Sequence, residues 1–370
     1  MVFCFLFHFL DMVYNKAVKT KQLIKNHTSR KHIWQLTLGL VASLILGAVI
    51  GWFWRSHTET TMAQTKLVRQ NSIDYKFVNP IILAQTPENT SDPVLQSLKS
   101  SITQYIAAAK SKNTVTDASV YFRRMNTDSW VGVNADDTYA PASMLKTVSL
   151  VAFLRAEQQN PALASDTATI DTQGINTDTN QDYYPPQQTV QLGGTYATQE
   201  LLSRMIIDSD NNAAFAIDEI TGKDLLGQTY KDLTIPDPNK TVAIDFISPK
   251  IMSRVFRSLY NGAYLSAPVS EEALDLLSKT TFTQGLVAGV PVGTTVAHKF
   301  GERTIGITDA NNPAASETIK ELHDCGIVYY PNDPYLLCVM TKGNDFPTLQ
   351  KVISDISAMT WNSMAQLDGK

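Results

Sequence analysis

Cysteine is scarce in this chain, with three in 370 residues, too few for a disulfide framework. An excess of basic charge is missing as well. With 31 Lys and Arg against 35 Asp and Glu the net charge is −4, which excludes the basic footprint of a dedicated nucleic-acid binder. Gly (18) and Pro (16) stay at ordinary levels, so collagen-like and low-complexity readings fall away. No internal repeat stands out. The six histidines (His8, His27, His32, His57, His298, His323) form no HExxH or other paired metal spacing, and no G-x-S-x-G is present. A zinc hydrolase and a Ser–His–Asp hydrolase therefore lack support, and no cofactor, metal or nucleic-acid partner is expected. At 44% hydrophobic, the chain has ample apolar material for a core, which leaves enzymes and binding domains.

Charge is also absent from one long stretch. Trp34 to Trp54, WQLTLGLVASLILGAVIGWFW, has no charged side chain over 21 residues. A helix of that length spans roughly 31 Å, enough for a hydrocarbon core of about 30 Å. Trp34, Trp52 and Trp54 sit near its ends, where indole rings favour the interface. Residues 1–54 hold six basic side chains (Lys16, Lys19, Lys21, Lys25, Arg30, Lys31) against Asp11 alone, leaving residues 55–370 at net −9. The basic flank precedes the span, so the positive-inside rule predicts a cytoplasmic segment 1–33, a retained anchor 34–54, and a domain outside the cell. Against a cleaved signal, the apolar run is long and no clear A-x-A site follows. The opening MVFCFLFHFL is too short to span. Residues 55–93, polar and broken by Pro80, Pro87 and Pro93, read as a stalk, with the apolar PIIL at 80–83 as a piece able to dock on the domain.

From Asp92 onward the pattern becomes periodic. Val94, Leu95, Leu98, Ile102, Ile106 and Ala109 share a helical face ending near Lys112. Strands are expected at Ala118–Arg123 and Ser129–Val133, then a helix at Met144–Ala156. A polar surface connection follows over 158–195. Further helices are predicted at Thr198–Ile207, Asn211–Thr221, Pro249–Tyr260 and Phe346–Met364, and strands at Gly293–Phe300, His323–Tyr330 and Tyr335–Thr341, the last two closed by Pro331-Asn332-Asp333-Pro334. Strands at both ends with helices between imply an α+β domain over 94–366, its sheet assembled from distant segments. If Tyr330 faces Tyr335, Cys325 and Cys338 lie diagonally on the hairpin arms, and buried free thiols are expected there.

Three motifs carry the chemistry. Ser143-Met144-Leu145-Lys146 is the chain's only S-x-x-K, and a helix would set Ser143 and Lys146 on one face about a turn apart. The same spacing also describes an N-cap with a solvated lysine. Here, however, Met144, Leu145, Val148, Leu150, Val151, Ala152, Phe153 and Leu154 are apolar nearly all round, a poor setting for a casual lysine. Ser209-Asp210-Asn211 precedes a helical run, as a simple helix cap would. Lys299-Phe300-Gly301 closes the strand Thr295–Phe300, as an edge lysine and turn glycine would. His298 beside it reads as a strand side chain.

Taken in order, S-x-x-K, S-D-N and K-x-G resemble the motifs of class A β-lactamases and penicillin-binding D,D-peptidases. The likeness extends over VYFRRMNTDSWVGVNADDTYAPASMLK, TYATQELLSRMIIDSDNNAA and DCGIVYYPNDPYLLCVMTKG. It implies a β-lactamase/transpeptidase-like fold, an antiparallel sheet packed with helices plus an all-helical subdomain. It also implies Ser143 as the acylated nucleophile, Lys146 as base, Ser209 as proton relay and Lys299 as its electrostatic partner. Asn211 would hold a substrate amide, and the N–H groups of Ser143 and Glu302 would form the oxyanion hole beside Gly301. The implied substrate is a β-lactam or a peptidoglycan stem peptide, and a monomer is expected.

Two departures qualify this. The family's deacylating glutamate has no counterpart, since residues 220–270 contain no Glu and the loop Leu233–Phe246 offers only Asp237 and Asp245. Slow or absent deacylation is the expectation. Phe300 stands where the family has Thr or Ser to bind a carboxylate; Arg303 is the candidate replacement. A penicillin- or peptidoglycan-binding domain without turnover is the competing reading.

Overall fold

The computed structural model describes Ser43 and residues 75–79, 92–113, 115–171, 183–307 and 317–368. Apart from Ser43, the expected anchor 34–54 and the cytoplasmic segment lie outside the described residues. Among the described residues no helix is long and apolar enough to cross a membrane. The chain divides into units 1–66 and 67–370, and all that follows concerns the second.

Helix α1 (Pro93–Ser111) starts where Asp92 caps it, its carboxylate accepting from Val94 N at 2.8 Å, with Pro93 at the first helical position. Its buried face is Val94, Leu95, Leu98, Ile102 and Ile106. Strands β1 (Val115–Arg124) and β2 (Trp130–Val133) follow as a hairpin. A 3₁₀ turn, Ala142–Leu145, leads into α2 (Lys146–Gln159). The central part holds the short ribbon β3 (Thr167–Thr169) with β4 (Thr195–Ala197), then α3 (Thr198–Ile207), α4 (Asn211–Thr221), α5 (Lys223–Asp232), α6 (Pro249–Tyr260) and α7 (Ala267–Leu277). Last come β5 (Val296–Ile307), β6 (Glu317–Val328), β7 (Tyr335–Gly343) and α8 (Phe346–Asp368).

The main sheet has the order β2-β1-β7-β6-β5, antiparallel throughout, so strands from both chain ends meet at β1 and β7. Two cores flank it. Leu95, Leu98, Ile102, Leu349, Ile353 and Ile356 pack α1 and α8 on one face, while Val148, Val151, Leu201, Ile206, Ile217 and Phe256 form the helical core on the other. Alternation along each strand is what lets one sheet serve both cores: Ala297 faces the helical core, Val296 and Phe300 the other. Strand β5 is the edge strand of this order.

Four expectations need correction. Strand β5 does not end at Phe300; it runs on to Ile307 because Glu302–Ile307 find partners in Glu317–Leu322, so the third motif is mid-strand. The β6–β7 register pairs Val328 with Tyr335, two residues away from a Tyr330–Tyr335 pairing and with a longer loop, which sets Cys325 directly opposite Cys338, and the two are joined in a disulfide rather than free. Helices α5 and α7 form in segments where the pattern predicts no element. Part of the stalk belongs to the domain: Phe77 and Val78 are buried, and one carboxylate, Glu271, accepts the N–H groups of Lys76, Phe77 and Val78 at 2.8, 2.8 and 2.9 Å. Phe77 meets Tyr329 edge-on at 5.1 Å, and Asn79 N donates to Tyr260 O. The domain therefore begins before Asp92.

Candidate active site

The turn that carries Ser143 is held from outside itself. Ala142 adopts φ +49°, a conformation costly for a residue with a side chain and sustained only where neighbours enforce it. The enforcing contacts come from β6: Glu321 Oε2 accepts Ala140 N at 3.1 Å, and His323 Nε2 donates to Ala140 O at 3.0 Å. His323 Nδ1 accepts Thr341 N–H, which leaves the ring proton on Nε2. From β5, Gly301 presses against the same turn; a Cβ there would lie 2.8 Å from Pro141 O and 3.0 Å from Met144 Cγ. Close approach, not turn conformation, is what demands glycine.

Lys146 opens α2 and is buried, with its amine 3.0 Å from Ser143 Oγ and 3.3 Å from Ser209 Oγ, donating to Ser209 O (2.5 Å) and Asn211 Oδ1 (2.6 Å). Ser209 sits at φ +61°, a left-handed position that turns both its carbonyl and its hydroxyl to the lysines. Asp210 then caps α4, accepting Asn212 N, while its other oxygen takes Val190 N. From β5, Lys299 donates to Ser209 Oγ at 2.8 Å and to Phe300 O at 3.2 Å. Ser143, Lys146, Ser209, Asn211 and Lys299, separated by up to 156 positions in sequence, thus form one cluster.

Burial governs its electrostatics. Desolvation brings the Lys146 amine down to about 7, against the opposing pull of Asp210, Asp218 and Glu302. Lys299 is driven well below the usual lysine range, first by burial and then by the charge of Lys146. Asp218 is held above the ordinary carboxylate range by its own burial. An amine titrating near neutrality beside a serine hydroxyl can take up that hydroxyl's proton, and Ser209, touching both lysines, offers a path onward.

The outer edge of β5 completes the site. Thr280 Oγ1 donates to His298 O at 2.9 Å and Lys299 to Phe300 O, so the even-numbered residues turn their backbone outward; by the strand period Glu302 does so too. Its N–H therefore points to the outer edge. Phe300 does not project into an empty pocket but is fully buried, stacked on Phe282 at 4.4 Å and met by Tyr184 at 5.4 Å. Arg303 is half-buried opposite Glu321, and no hydrogen bond or ion pair joins it to another described residue. His298 is a structural side chain, as expected, pairing Nδ1 with Asp324 at 2.8 Å. Neither loop aspartate reaches the cluster: Asp237 caps its own turn and pairs with Lys240, and Asp245 pairs with Lys342 at 2.6 Å.

Sequence reasoning missed Glu321, His323, Tyr183 and Tyr184. The first two carry no motif. The second pair left a signal, Tyr183-Tyr184-Pro185-Pro186, two rings and two rigid residues inside an otherwise polar stretch.

Comparison with known proteins bears on this geometry. The family model described as the beta-lactamase enzyme family matches residues 97–364. No curated protein matches the chain. Among solved structures, PBP-A is similar at 23% identity, covering 76% of this chain and all of its own, with a TM-score of 0.60. A PBP-A mutant captured as an acyl-enzyme complex with penicillin G gives 22%, 77%, 100% and 0.58 in the same terms. A β-lactamase from Sphaerobacter thermophilus gives 16%, 72%, 97% and 0.57.

Proposed function

The chain belongs to the β-lactamase enzyme family and is a serine hydrolase of that family; from this we propose that Ser143 is its acylated nucleophile, acting on β-lactams or peptidoglycan-type peptides. The carrying observation is the Lys146 amine, lowered to about 7 and set 3.0 Å from Ser143 Oγ. Ser143 Oγ attacks the donor's carbonyl carbon while its proton passes to Lys146. The carbonyl oxygen is received by the N–H groups of Ser143 and Glu302. As the carbon–nitrogen bond breaks, Ser209 hands a proton to the leaving nitrogen and is resupplied through the lysines, and Asn211 holds the donor's amide. That a PBP-A mutant of like fold holds penicillin G as an acyl-enzyme supports an ester at this position.

Deacylation is proposed to be slow. No glutamate lies in residues 220–270, and both loop aspartates are engaged away from Ser143. The uncharged run 34–54 with its basic flank supports an anchor that keeps this domain outside the membrane. The test is intact-protein mass spectrometry of the full chain after exposure to penicillin G and to a peptide thioester. A lasting adduct with at least one donor, absent in Ser143→Ala, is expected; no adduct with either would sink acyl transfer and favour a domain that binds without acylating.

A further inference from the structure

A carboxylate and three aromatic rings border the cluster and take no part in the proposed acyl transfer. Contacts of 3.0, 3.3 and 2.8 Å link Ser143, Lys146, Ser209 and Lys299 in that order, so a leaving group protonated from Ser209 points toward Lys299. Beyond it, the Lys299 amine lies 4.2 Å from the centroid of the Phe300 ring. Phe282 stacks on that ring and Tyr184 stands edge-on to both, 5.0 Å from Phe282. Glu302, two residues further along β5 and on the same strand face as Phe300, is 4% exposed. Its Oε1 accepts Tyr184 N–H at 2.9 Å, and the Tyr184 hydroxyl donates to Thr281 O at 3.0 Å, so Tyr184 spans the wall from Glu302 to Phe282.

We infer that Glu302 and Phe300 set the specificity of this site, favouring acyl donors whose leaving portion is uncharged or cationic over donors that end in a carboxylate. The inference rests on the acyl-transfer reading and narrows its donors: among β-lactams and stem peptides, those whose leaving portion bears an amide or ester in place of a free carboxylate are favoured. A carboxylate drawn from water needs hydrogen-bond donors or a full positive charge to receive it. Phe300 supplies neither. The Lys299 amine is already directed at Ser209 and Phe300 O, and burial has weakened its hold on a proton. Glu302 adds a charge of the wrong sign where little water screens it. Arg303 lies four residues past Lys299, about 13 Å of strand away from the leaving-group end. An amide or ester end, by contrast, brings no charge for Glu302 to repel, and a cationic end is drawn toward it.

The test pairs two thioester donors with the same acyl part, one releasing mercaptoacetate and the other mercaptoacetamide. In each, the Ser143 oxygen–carbon bond forms, the carbon–sulfur bond breaks, and the thiol leaves with the proton Ser143 gave up. Released thiol and the Ser143 adduct mass are followed in the full chain. The carboxamide is expected to acylate faster by about tenfold or more, the scale of one like-charge contact in a partly desolvated site. Glu302→Gln should bring the ratio of the two rates toward one, and Phe300→Thr should move it the same way without touching the carboxylate. Equal rates in the unaltered chain, or a ratio that neither variant moves, overturn the specificity inference while acyl transfer stands. No adduct from either donor overturns acyl transfer itself and this inference with it.

Discussion

The two walls of the cluster differ in kind. On the helical side, Ser143, Lys146, Ser209 and Asn211 sit where short motifs at helix starts put them, and the other three all touch the Lys146 amine. On the β5 side, Lys299 and Gly301 keep their places, yet the residues between and beyond them, Phe300 and Glu302, present a ring and a carboxylate. The lesson is that machinery and selectivity are built separately. A buried amine and two hydroxyls depend on close local geometry and tolerate little change. An open strand edge can exchange side chains of alternate parity while its backbone continues to do the same work.

The sharpest way to break this division is at the nucleophile. Ser143→Ala should abolish adduct formation with every donor, a loss of roughly 10³-fold or more, measured by mass. Lys146→Ala should follow, lowering acylation about 10²–10⁴-fold with little change in fold, checked by single-turnover kinetics and circular dichroism. The pH profile sharpens the same point. Below about pH 7 Lys146 carries its proton and cannot accept another, so acylation should rise with pH through about 7 and level off above it. A rise appearing only near the ordinary lysine value of 10.5 would show that burial does not tune this amine.

Smaller effects test the supports. Glu271→Ala leaves three N–H groups without their acceptor and should destabilise the domain by about 1–3 kcal/mol, read as a lower melting temperature, while acylation stays within twofold. Smallest of all, Asp237→Asn should leave the adduct's lifetime within about twofold of the unaltered protein, because its side chain is engaged in its own turn and not in positioning water. A much longer-lived adduct in that variant would make Asp237 the missing deacylating group.

Much of the fold was legible from local pattern. Helices α3, α4 and α6 begin and end where caps and apolar spacing put them: Asp210 before Asn211, Ser248 before Pro249, and Gly222 after Thr221. Helix α5 was not, because KDLLGQTYKD is polar and buries only Leu226, Thr229 and Tyr230. The β6–β7 register escaped for a related reason. Turn composition marks a hairpin but does not count its residues, and a two-residue shift decides whether Cys325 meets Cys338 directly or diagonally. Seating of Phe77 and Val78 depends on Glu271, nearly two hundred positions away, which no local pattern signals.

The sequence by itself determined the identity and order of Ser143, Lys146, Ser209, Asn211 and Lys299, since each chemistry needs a particular residue at a helix start or on a strand. It determined too that no glutamate serves the loop 233–246. Only the tertiary structure decided that β6 clamps the Ser143 turn through Glu321 and His323, and that desolvation from all sides lowers both lysines. It alone turned Phe300 into part of an aromatic wall with Phe282 and Tyr184, held at Glu302. These are contacts between segments far apart in the chain. Burial and charge proximity are properties of the packed whole, and they exist only once the sheet from both ends has closed over the helices.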